Sequence, residues 1–185
     1  MSISAVWTAI RGKQTAEALS VLGLHVAGGR AGALVGAHLP TGWYVITVSL
    51  RSAEDPCAPI LAKLSSGCEV VTFGLVESTA YQEAAGWKDG SRTWSVSRDP
   101  DQGDKLAIEG IPPAALDSVL RAETEEARVR LYDVLELSKA LIGFEPSEGF
   151  PEPCEVLVPH ANRNTSNVPK ASWFTKLFGG ERRPR

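Results

Sequence analysis

The sequence predicts an α+β domain: a largely antiparallel sheet of about six strands, with three or four helices packed on it. Three observations point there. Strand-like runs follow one another through short turns, which favours antiparallel neighbours. After Pro112-Pro113 the apolar period changes from two to that of a helix. Finally, 43% of the 185 residues are hydrophobic and 22% charged, enough for a packed core and incompatible with wholesale disorder or a coiled coil.

The elements follow in order. Ser2 to Arg11, with Ile3, Val6, Trp7 and Ile10, reads as a first strand. Gln14 to Leu24 places Ala16, Leu19 and Leu22 at helical spacing, with Thr15 as a candidate cap, and Gly28-Gly29-Arg30-Ala31-Gly32 is a connection. Leu34 to Leu39 and Trp43 to Leu50 form a hairpin around Pro40-Thr41-Gly42. The run Trp43-Tyr44-Val45-Ile46-Thr47-Val48 has apolar residues on both faces, as a strand covered twice requires. Pro56 to Leu64 is a short helix stopped by Gly67, and Glu69 to Glu77 is a further strand.

Tyr81 to Trp87 and Arg92 to Arg98 flank Lys88-Asp89-Gly90-Ser91. Asp-Gly supplies the positive φ angles of a two-residue hairpin turn. Leu106 to Glu109 is the next strand. Leu116, Val119, Leu120, Ala127 and Leu131 then continue a helix, and Asp133 caps a second one that ends at Gly143. From Phe144 onward Pro146, Pro151, Pro153, Pro159 and Pro169 predict irregular structure. This divides the chain into an α+β domain at 1–144, a Pro-rich segment at 145–171 and a basic aromatic tail at 172–185.

Compartment and membrane signals are few. The start has no positively charged region leading into a long apolar run, so no secretory signal is expected. Cys57, Cys68 and Cys154 are odd in number and widely spaced, which suits a reducing cytoplasm. Ala31 to Leu50 is free of charge and long enough to span a bilayer, but Pro40 and Gly42 break it into two strands, so no transmembrane segment is expected.

The net charge of −3 gives no sign of nucleic-acid binding, yet it hides an asymmetry. Residues 1–98 carry a net +1, residues 99–155 a net −9, and residues 156–185 a net +5. The acidic block includes Glu123, Glu125, Glu126, Asp133 and Glu136. Two readings stand: a solvated helix face, or a docking surface for a basic partner, where clustered carboxylates accelerate association and reject like charge. In the tail, Trp173, Phe174, Leu177 and Phe178 share a stripe followed by three arginines. It suits an anionic membrane surface, the protein's own acidic block, or a frayed end.

Reactive motifs are missing. His25, His38 and His160 share no zinc-site spacing, the glycine cluster at 28–32 is neither a dinucleotide nor a phosphate loop, and there is no nucleophile elbow. No catalytic residue, metal or cofactor is therefore expected. Trp7, Trp43, Trp87 and Trp94 fall in strands, where core packing is the default. Trp87, beside its turn, is the one read also as an interface anchor.

Gly86-Trp87-Lys88-Asp89-Gly90, Thr93-Trp94-Ser95-Val96, Leu106 to Pro112, Leu131-Tyr132-Asp133-Val134, Ala140 to Phe144 and the ending Trp173-Phe174-Thr175-Lys176-Leu177-Phe178-Gly179 together resemble a group of small bacterial proteins. These are encoded beside polymorphic or type VI secretion (Rhs-type) toxins and are read as immunity proteins. The resemblance implies a cytoplasmic protein that neutralises a cognate toxin with a basic surface by direct stoichiometric binding, without catalysis. It transfers no contact residue. The candidate partner-binding set, Glu123, Glu125, Glu126, Asp133, Glu136 and Trp87, comes from charge and aromatic placement alone. The alternatives are a small enzyme with a concealed site, or a secretion-system adaptor or chaperone.

Overall fold

A computed structural model describes residues 4–27, 34–49, 58–100, 106–121 and 133–160. The chain is α+β. Its strands are β1 (Ser4–Arg11), β2 (Leu24–Ala27), β3 (Leu34–His38), β4 (Tyr44–Ser49), β5 (Glu69–Val76), β6 (Tyr81–Lys88), β7 (Ser91–Arg98), β8 (Leu106–Gly110) and β9 (Cys154–Pro159). The helices are α1 (Thr15–Leu22), α2 (Ala58–Leu64), α3 (Ala114–Arg121) and α4 (Asp133–Ile142).

All nine strands join one sheet in the order β2-β9-β3-β4-β1-β5-β6-β7-β8, and every neighbouring pair is antiparallel. The expected count of about six is thus too low. Leu24–Ala27 escapes notice because it follows α1 directly: Gly23 ends the helix in the left-handed region at φ 70° and turns the chain straight into the strand. Cys154–Pro159 lies inside the Pro-rich segment that reads as irregular. Its core, Glu155-Val156-Leu157-Val158, nevertheless slots between β2 and β3. The prolines punctuate the ends of this strand instead of preventing it.

The sheet carries helices on both faces, not one. Side chains alternate across a strand, so Trp7 and Ala9 of β1 join Trp43, Val45, Phe73, Leu75, Ala84, Trp94 and Val96 under α3 and α4. Ile10 points the other way and joins Tyr44, Ile46, Val70 and Leu157 under Ala18 and Leu19 of α1 and Leu61 and Leu64 of α2. Double coverage is why the central strands read as continuous apolar runs.

Two close approaches set the sheet's detail. The Tyr44 ring lies over Gly36, where a Cβ would stand 2.2 Å from the phenol oxygen, and Trp94 lies over Gly86 in the same way. The predicted hairpin between β6 and β7 forms with Asp89 at φ 49° and Gly90 at φ 82°. Thr15 opens α1 but does not cap it. Gln14 occupies that position without a side-chain bond, and the Thr15 hydroxyl turns to His38 Nε2 at 3.2 Å. No helix among the described residues is long and apolar enough to cross a membrane.

Candidate functional site

Of the candidate partner-binding residues, Glu123, Glu125 and Glu126 lie outside the described residues. Asp133 opens α4. That helix buries Val134, Leu135, Leu137, Ser138 and Ile142, which leaves Glu136, Lys139 and Ala140 on its outer side. A sheet residue holds its start: the Gln82 side-chain oxygen accepts the Val134 N–H at 3.0 Å, satisfying a donor that the helix itself cannot. A buried chain holds its far end. The Trp7 indole donates to Ser138 Oγ at 2.8 Å, and that hydroxyl donates to the Phe144 carbonyl at 2.7 Å.

The acidic segment does not form one uniform patch. Lys139 pairs with Glu145 at 3.6 Å and with Glu148, and the hydrogen bond to Glu148 holds its ammonium above the usual lysine range. Glu109 pairs with Arg92 at 2.6 Å. Glu155 lies on the opposite face from α4, where it accepts a 2.7 Å hydrogen bond from Tyr44. Glu136 is exposed and has no ion-pair partner among the described residues. Among the described residues the carboxylates at 109, 145, 148 and 155 are therefore engaged with neighbouring side chains, while Glu136 stands exposed on the outer side of α4 beside Lys139.

Trp87 sits half-buried against the second core with Val70 and Leu64. Its indole N–H is buried without a hydrogen-bond partner among the described residues, an arrangement that costs free energy and that the sequence does not reveal. Trp87 is thus partly covered by the second core and partly exposed.

Between α3, α4 and strands β6 and β7, a cavity lined by Gln82, Val96, Leu116, Leu120 and Leu137 measures about 20 Å³. That is on the order of one water. Burial pushes the phenols of Tyr44 and Tyr81 well above their usual range, with Glu155 and Glu83 adding to it. Burial likewise raises the Cys68 thiol more than Lys13 lowers it, so its reactive thiolate is disfavoured. No group of three or more metal-ligating side chains occurs among the described residues.

Two further surfaces were missed by sequence reasoning. The edge strand β8 and the residue after it expose Ile108 (47%) and Ile111 (87%). At the other edge, His25 and His160 stack with ring centroids 4.8 Å apart. Neither had a local signal, because each depends on which strand ends at the sheet's border. No protein-family model matches the chain, and no curated protein and no solved structure is found to be similar to it.

Proposed function

We propose that the chain is a binding protein of the immunity type, which neutralises a cognate toxin by meeting a basic surface on it with carboxylates of its acidic segment, Glu123, Glu125, Glu126, Asp133 and Glu136. The observation that carries this reading is the filled interior. Both sheet faces are packed under helices, and the cavity beneath α3 and α4 holds about 20 Å³. A space of about one water favours contact with a macromolecule at the surface over chemistry on an enclosed small substrate. Glu136 supplies an unpaired outward charge, and the net −9 between residues 99 and 155 supplies the field that steers a cationic partner.

Coexpression with the product of the adjacent gene tests it. A 1:1 complex and survival of cells that otherwise die support inhibition. Absence of a complex, with killing unabated, overturns it.

A secretion-system adaptor or chaperone is the second reading, favoured by the exposed isoleucines at the β8 edge, since an edge strand is able to receive an extended segment. Substituting Ile108 and Ile111 with Lys separates the two. An adaptor loses its client, and an inhibitor acting through α4 retains its toxin.

A further inference from the structure

The β2 edge brings together two imidazoles that the chain separates by most of its length. In β2, His25 pairs in register with Val158 of β9. His160 follows two positions later, and the two-residue period of a strand places it on the same face as Val158 and His25. The His160 N–H donates to the Gly23 carbonyl at 2.9 Å, which extends the ladder one step beyond the paired residues and fixes the backbone beneath both rings. Both histidines are exposed, and their rings stack with an interplanar angle of 26°.

We propose that His25 and His160 form a two-imidazole site for a first-row divalent transition-metal ion of the class that favours nitrogen ligands, such as Ni²⁺ or Zn²⁺, with water completing the coordination sphere. Imidazole suits these ions. Rotation of the two exposed rings out of their stack would let a nitrogen from each approach one ion at about 2.0–2.1 Å. The backbone is ordered before the ion arrives, which removes much of the entropic cost of bringing two ligands together. Sequence spacing gave no hint, because strand register supplies the proximity that an H-x-x-x-H helix would supply locally. A bound ion would staple the late strand β9 to the early strand β2, and so close the sheet's border from outside.

Calorimetric titration of the full chain with NiCl₂ and, separately, ZnCl₂ at pH 7 tests the site. The wild type and a His38→Asn control should each bind one equivalent. His25→Asn or His160→Asn should weaken that binding roughly 10- to 100-fold, the range seen when even the supports of a metal ligand are removed. The metal should also raise the unfolding midpoint of the wild type and leave those of the two variants unmoved. Equal affinity in the variants and the wild type, or no binding by the wild type up to millimolar metal, overturns the proposal.

Discussion

The Trp7 indole donates a 2.8 Å hydrogen bond to the Ser138 hydroxyl, tying the central strand of the sheet to the helix whose outer side carries Glu136. Both residues are fully buried. The hydroxyl passes the chain on to the Phe144 carbonyl, so one serine satisfies a donor and an acceptor that water does not reach.

Ser138→Ala therefore leaves two buried polar groups unpaired. We expect a loss of about 1–3 kcal/mol, seen as a lower denaturant midpoint at unchanged slope. A midpoint equal to the wild type's would mean that α4 is positioned by apolar packing alone.

Gly36→Ala places a Cβ 2.2 Å from the Tyr44 oxygen and 3.1 Å from a Leu157 methyl. The ring must move and release Glu155, at a cost of about 1–3 kcal/mol. Tyr44→Phe removes the clashing oxygen, so the double variant should be less destabilised than the two singles combined, by about 0.5 kcal/mol or more. Additive losses in chemical denaturation would show that the ring over Gly36 is not the cause.

Alkaline pH should unfold the protein by a defined route. An unfolded tyrosine ionises near pH 10, while burial first, then the neighbouring carboxylate, holds the folded Tyr44 and Tyr81 phenols above that value. Their raised folded pKa means that their contribution is fully present below pH 10 and is lost as pH rises beyond it, because the unfolded chain alone releases the protons. Tyr44→Phe and Tyr81→Phe should each flatten this decline in denaturation curves recorded from pH 8 to 11. An identical slope in both variants would contradict it.

Trp87→Phe removes an indole N–H that has no partner among the described residues. Relief of that buried donor should offset much of the lost apolar contact, so thermal unfolding should change by less than about 1 kcal/mol. Trp87→Ala, which opens a cavity beside Val70 and Leu64, should cost about 3 kcal/mol or more. Equal costs for Phe and Ala would point to a hydrogen-bonded indole.

Much of this architecture is legible in the chain, because local chemistry dictates it. Asp89-Gly90 specifies its turn, Pro40-Thr41-Gly42 its hairpin, and the unbroken apolar run from Trp43 to Val48 its double coverage. What escaped is long-range. Leu24–Ala27 is too short to announce itself, and Val156 and Leu157 lie in a proline-rich stretch whose pairing with β3 depends on partners far back in the chain. The stacked histidines and the exposed Ile108 arise from strand order, which periodicity does not encode. For the acidic segment, composition located the charge but not its ion pairs: Lys139 and Arg92 take up Glu145, Glu148 and Glu109.

The most direct test of the proposed function measures the association rate of the purified chain with the product of the adjacent gene, at low and at physiological salt. Reversing Glu123, Glu125, Glu126 and Glu136 to Lys should slow association by about tenfold or more at low salt and remove its acceleration by dilution of salt, as loss of electrostatic steering requires. A rate and a salt dependence untouched by the four reversals would contradict the acidic segment as the surface that meets the proposed partner.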